Sequence, residues 1–254
     1  YEPVAVGWRW GRAWSTTWFR VTGEVPAAWR DGTPPGTRAE ILVDFGYNRS
    51  RSGFQAEGFA YRLDGTPIKS IAPMNSWLPV VEPRLDVFIE AAANPDVAGD
   101  YTFDPTPLGD LATVPDETLY ELRQVELALV DVVVWELLQD VWTLRGLMEQ
   151  LPTDGPRRHE ILRAFEAMLD CLDPDHIAST ASAGRAALAD VLARPASASA
   201  HHLVATGHAH IDSAWLWPLR ETKRKAARTY VRALNTAERR GDVVYGTSQP
   251  QQMA

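Results

Sequence analysis

Between positions 207 and 217 the chain reads Gly207-His208-Ala209-His210-Ile211-Asp212-Ser213-Ala214-Trp215-Leu216-Trp217, which places two imidazoles and a carboxylate within five positions. Those are the donors that zinc and similar borderline divalent cations accept. Alternate residues of an extended segment point the same way, so His208, His210 and Asp212 can converge and supply up to three ligands. Taken singly, a histidine in such a place more often hydrogen-bonds to backbone, and an aspartate caps the helix that follows. The surroundings favour the metal. His202-Leu203-Val204-Ala205-Thr206-Gly207 is a short apolar run ending in glycine, the pattern of a buried parallel strand. The loop past the carboxyl end of such a strand is where α/β folds build active sites.

Elements on both sides must hold that loop. Pro218 suits the first position of a helix. Residues 220–240 then carry Ala226, Ala227, Tyr230, Val231 and Leu234 on one face and end in basic residues before Gly241, the charge and glycine signals of a helix C-terminus. Asp242-Val243-Val244-Tyr245-Gly246 supplies a second strand. Residues 202–246 therefore read as a βαβ unit whose crossover is long enough for parallel strands, and residues 201–254 open a parallel α/β domain.

Upstream, apolar residues alternate at Phe19 and Val21, at Ile41, Val43 and Phe45, at Phe59, Tyr61 and Leu63, and at Leu85, Val87 and Ile89. Period two means half-buried strands. Turn signals between them, such as Asp64-Gly65, are spaced as in an antiparallel β-sandwich, which we assign to residues 1–110. Six of the ten tryptophans (Trp8, Trp10, Trp14, Trp18, Trp29 and Trp77) fall there; they suit core filling better than sugar stacking. From Pro115 the period turns helical through Leu122, Val125, Leu129, Val133, Leu137, Val141, Leu144, Met148 and Leu151, predicting one long amphipathic helix. A second helix starts at Pro156, a third follows Asp173-Pro174, and Pro195-Ala196-Ser197-Ala198-Ser199-Ala200 reads as a linker. Residues 111–200 thus form a helical domain with its linker.

The formal charge of −8 argues against nucleic acid, whose binding needs clustered Lys and Arg. No apolar run approaches the ~18 residues of a membrane span. The single cysteine, Cys171, can form no intrachain disulfide, which suits a reducing, cytoplasmic setting. A homo-oligomer is compatible with the composition. The opening at Tyr1, without Met or a signal peptide, is expected to be an internal start.

Two superfamilies share part of the histidine motif. Metallo-β-lactamase-type hydrolases continue His-x-His-x-Asp with a histidine where Ser213 stands, and amidohydrolase-type barrels also open with His-x-His. Neither accounts for the flanks. Gly207 to Thr222, running on through Trp217-Pro218-Leu219-Arg220-Glu221-Thr222, closely resembles the first catalytic-domain motif of the family 38 α-mannosidases, in the branch with cytosolic and vacuolar members. Ser248-Gln249-Pro250-Gln251-Gln252 resembles a second segment of that family, with Pro250 departing from the small residue expected. Ser15-Thr16-Thr17-Trp18-Phe19-Arg20 and Ile89-Glu90-Ala91-Ala92-Ala93-Asn94-Pro95 extend the likeness upstream.

The resemblance implies an antiparallel β-sandwich, a helical domain and the start of a (β/α) barrel, working as a retaining, metal-dependent α-mannosidase on α-mannoside oligosaccharides. His210 and Asp212 match metal ligands, Trp215 matches the aromatic beneath the sugar, and His208 is left without a ligand role. Zinc is the first choice of ion, with cobalt or calcium as alternatives. The nucleophile, the acid/base and the remaining ligands are expected beyond Ala254, since only 254 − 212 = 42 residues follow Asp212 and a complete barrel takes on the order of 200. Residues 1–254 by themselves are accordingly expected to be inactive and to hold no tight metal. A carbohydrate-binding module built on the tryptophan-rich sandwich is the alternative of another class.

Overall fold

The computed structural model describes residues 1–30, 32–50, 53–80, 82–96, 112–213, 215 and 217–253. The alternating segments become β1 (Arg9–Trp10), β2 (Thr16–Glu24), β3 (Thr37–Asp44), β4 (Glu57–Tyr61), β5 (Pro67–Ile71), β6 (Trp77–Pro79), β7 (Arg84–Ala92), β8 (Tyr120–Glu121) and β9 (Gln124–Asp131), with a single helical turn α1 (Ala27–Arg30) after β2. A four-stranded sheet runs β2-β7-β4-β5, a three-stranded sheet runs β6-β3-β9, and β1 pairs with β8. The first sheet is antiparallel throughout. One apolar cluster takes Phe19, Ile89 and Ile71 from the four-stranded sheet and Ile41, Val43 and Leu78 from the other. Trp10 sits within it, its indole N–H donating to the Phe45 carbonyl at 3.1 Å, so the polar end of a buried ring is satisfied.

The long helix expected from Pro115 is corrected. Residues 120–121 and 124–131 are strands, and helix α2 spans Val132–Gln150. Val125 and Leu129 satisfy period two as well as the helical period, Leu127 between them fits period two alone, and β9 lies beside β3, which makes the strand reading the one that pairs its backbone. Asp131 marks the true helix start, accepting from the Val134 N–H at 2.9 Å.

Contacts gather the chain into two compact units, residues 1–30, 40–128 and 204–254 in one and residues 31–39 and 129–203 in the other. In the second, α2 packs with α3 (Pro156–Cys171) and α4 (Ile177–Ala193). Their seam is apolar: Leu137, Leu144, Ile161, Met168, Ala181 and Leu188 are its buried members. Cys171 is exposed. No helix among the described residues is long and apolar enough to cross a membrane.

In the first unit, residues 204–254 contribute β10 (Gly207–His208), helix α5 (Leu219–Arg240) and β11 (Tyr245–Gly246). β10 and β11 are parallel, Gly207 opposite Tyr245, so the βαβ connection is present. The first strand is shorter than expected. Residues 201–206 take no regular structure, and Leu203 and Val204 are 87% and 84% exposed. The face of α5 that packs also differs. Ala226 is buried, but so are Glu221, Thr222 and Arg228, whereas Leu234 is 60% exposed. Helix α5 meets β5 of the four-stranded sheet, and charge rather than oil fills much of that contact.

Candidate metal and sugar site

The loop 209–218 leaves β10 and returns into α5. His210 Nε2 and Asp212 Oδ1 lie 3.0 Å apart, with side chains 63% and 36% exposed. Two ligands at ~2.0–2.2 Å from one tetrahedral ion would stand about 3.3 Å apart, so the pair has the donor chemistry and the spacing for a shared cation. His208 is held away from them, its Nε2 3.2 Å from Ser248 Oγ. Among the described residues no group of three His, Cys, Asp or Glu side chains converges. Of the three donors in the motif, His210 and Asp212 are the two that approach one another.

Trp215, on the same loop, is 44% exposed. Its ring meets Trp217 at 6.1 Å and Phe54 at 6.0 Å, both edge to face. Trp217 faces the opposite way chemically: it is 9% exposed and shares a small core with Ile211 and Ala226, against which Trp14, Phe54 and Tyr230 pack. Phe54 and Trp14 come from sandwich loops, and both have positive φ, 53° and 62°, a strained conformation for bulky residues.

Three successive loop carbonyls are each held by a side chain. Trp217 Nε1 donates to the Asp212 carbonyl at 2.9 Å, Thr222 Oγ1 to the Ser213 carbonyl at 2.5 Å, and Gln252 Nε2 to the Ile211 carbonyl at 2.5 Å. Gln252 Nε2 also reaches Ser213 Oγ at 3.2 Å.

Beneath the loop, α5 is pinned by ions. Arg228 donates from Nε to Glu57 at 2.8 Å and from Nη2 to Glu221, and Lys225 Nζ donates to Glu57 at 2.6 Å. Glu221 also accepts from Asn94 at 2.9 Å. Arg224 Nε sits 2.6 Å from Glu90 Oε1, an ion-pair contact without hydrogen-bond alignment. Arg228 Nη1 has no hydrogen-bond partner among the described residues. Burial opposes ionisation of Glu57, but Lys225 and Arg228 outweigh it and hold its carboxyl down to about 2. A cavity of about 580 Å³ adjoins this network, lined by Glu57, Arg228, His208, Ala233 and Val243 among others. Its lining also takes in His210, Ile211 and Trp217 of the loop and Phe54, Ser70 and Ile71 of the sandwich, whereas Asp212 and Trp215 do not line it.

Sequence comparison agrees with this architecture. The sequence model of the α-mannosidase jelly roll domain matches residues 1–128, and that of the glycosyl hydrolases family 38 N-terminal domain matches residues 200–254. Alpha-mannosidase 2C1 of Homo sapiens is 30% identical over 263 residues, covering 100% of this chain and 23% of the relative. Alpha-mannosidase of Saccharomyces cerevisiae is 23% identical, covering 95% of this chain and 22% of that protein. The chain spans about a quarter of the length of these curated relatives. A jelly-roll sandwich joined to the opening of a glycoside hydrolase domain is the class these features define. The chain belongs to glycoside hydrolase family 38, among the α-mannosidases.

Of the site residues expected from sequence, His210 and Asp212 are brought together, and Trp215, on the same loop, meets Phe54 and Trp217. The roles of Trp217, Thr222, Gln252 and Phe54 were not foreseen. Gln252 lay in a recognised motif, but its target carbonyl is 41 residues away. Nothing in the sequence pairs Glu57 with Arg228 across 171 residues.

Proposed function

We propose that the protein containing this chain is a retaining α-mannosidase that releases terminal α-linked mannose from oligosaccharides, with His210 and Asp212 among the ligands of a divalent cation and Trp215 beneath the sugar. Zinc suits the imidazole and carboxylate donors best, with cobalt or calcium as alternatives. The observation that carries this reading is the 3.0 Å approach of His210 to Asp212 on an exposed loop past a parallel strand, together with the names of the relatives. When bound, such an ion polarises sugar hydroxyls and favours an oxocarbenium-like ring.

The residues of this chain do the holding. His210 and Asp212 present one neutral and one anionic donor, and the accessible face of Trp215 offers an apolar platform for a sugar ring. Phe54 and Trp217, edge-on to Trp215, keep that platform from turning. The nucleophile and the acid/base are not assigned to residues 1–254. A cytoplasmic setting accords with the lone, exposed Cys171.

The test uses the intact protein. Asp212→Asn removes the anionic donor and should lower metal content and α-mannosidase activity together. Trp215→Ala should leave metal content unchanged and lower kcat/KM about ten- to a hundred-fold, because it positions sugar and not the ion. Full metal content in Asp212→Asn overturns the assignment.

A further inference from the structure

Among its described residues the loop bearing His210 and Asp212 has no ladder partner beyond the two-residue β10, so its direction must be set by something other than a sheet. The carbonyls of Ile211, Asp212 and Ser213 bracket the carboxylate ligand, and each receives one side-chain donor. Trp217 and Thr222 lie within ten residues of the carbonyls they hold, so they brace the loop only against the start of its own helix. Gln252 is different. It arrives from the 3-10 turn Pro250–Met253, beyond β11, and spans the loop on both sides of Asp212, from the Ile211 carbonyl to the Ser213 hydroxyl. A carbonyl oxygen can only accept, which fixes the amide nitrogen of Gln252 as the atom that meets it.

We propose that Gln252 is a positioning residue for the metal-binding pair: by clasping the peptide on either side of Asp212 it aims that carboxylate at His210. This rests on the reading of His210 and Asp212 as metal ligands. Ligand direction is what an open two-donor arrangement depends on, because a carboxylate free to swing loses the entropy of being fixed each time it binds. Contacts that orient metal ligands from behind characteristically change affinity by about 10- to 100-fold.

The experiment measures Co²⁺ on the intact protein, stripped of metal and titrated, following the visible absorption of the bound ion as well as its dissociation constant. Gln252→Met keeps length and removes the donor. Gln252→Glu keeps shape and polarity but sets an acceptor against the Ile211 carbonyl, and it serves where the Met variant does not fold. In either variant, with far-UV circular dichroism and melting temperature near those of the parent, Co²⁺ affinity should fall about ten-fold and the absorption bands should move. A folded variant with parental affinity and parental bands overturns the positioning role. Asp212→Asn, titrated alongside, separates the two ideas. If it binds Co²⁺ as the parent does, the metal reading fails. If it loses Co²⁺ while the Gln252 variants bind as the parent does, the pair remains a metal site and only the role of Gln252 falls.

Discussion

Two helical contacts in this chain are solved by opposite means. The α2–α3–α4 unit closes chiefly over Leu137, Leu144, Ile161, Met168 and Leu188, with Arg185 of α4 paired to Glu136 and Asp140 of α2, and its apolar part tolerates small shifts because oil has no preferred angle. Helix α5 instead meets the sandwich through Arg228 and Lys225 against Glu57 and through Arg224 against Glu90, while Glu221 of the same helix closes on Arg228 from within. Ion pairs with hydrogen bonds carry distance and angle, so they define register where burial alone would not. They also cost desolvation, which makes such a seam a weak source of net stability. The difference follows from what each helix must do: α2 to α4 need only pack, whereas α5 begins at Leu219, immediately behind the loop that carries His210, Asp212 and Trp215. Register in α5 is transmitted to that loop through Thr222, in its first turn, which holds the Ser213 carbonyl.

The comparison breaks most sharply at Arg228, whose side chain is 3% exposed between Glu57 and Glu221. Arg228→Met should cost about 3–5 kcal/mol, because Glu221 is left buried without its cation and Glu57 keeps only Lys225. Urea denaturation would read this, and adding Glu221→Gln to the Met variant should restore part of the loss. No recovery in the double variant would mean that Arg228 acts by packing alone. In the apolar seam, Leu144→Ala should cost about 2–5 kcal/mol by opening a cavity at a residue 1% exposed. That loss should be the same in 0.05 M and 1 M salt; a strong salt dependence would erase the distinction between the two contacts.

The smallest effect concerns acid. Glu57 titrates near 2 in the folded chain and near 4.5 when free, so its contribution is complete above pH 4.5 and drains away as pH falls toward 2. At pH 4 the loss is only about 1 kcal/mol. The fall in stability from pH 7 to pH 4 should therefore be smaller in Glu57→Gln than in the parent by that amount. Equal falls in both would show that the ion cluster does not hold Glu57 in its charged form.

Much of this was legible in the chain itself. Alternation at Phe19, Val21, Leu85, Val87 and Ile89 identifies strands because a pleat turns period two into one buried face. The spacing at Leu137, Val141, Leu144 and Met148 identifies a helix for the corresponding reason at period 3.6. Residue type and place point to His208, His210 and Asp212 as candidate donors, whereas Trp215 and the setting aside of His208 come from the family resemblance. Val125 and Leu129 satisfy both periods, so those two positions could not choose, and the neighbouring strand β3 decided. The face of α5 was misjudged for a related reason: apolar residues were counted inward, but a helix buries whichever face its neighbour complements, and the neighbour here offers Glu57 and Glu90.

The sequence by itself therefore determined the local periods, the turn positions and the chemical types in the loop 207–217, because these depend on residues close along the chain. Only the tertiary structure decided that Glu57 would meet Arg228, that Phe54 would brace Trp215, and that Gln252 would close over Asp212. Those pairings join residues 41 to 171 positions apart. A carboxylate or an amide is compatible with many partners, and which one it finds is settled by the packing of whole elements, not by any property of the residue alone.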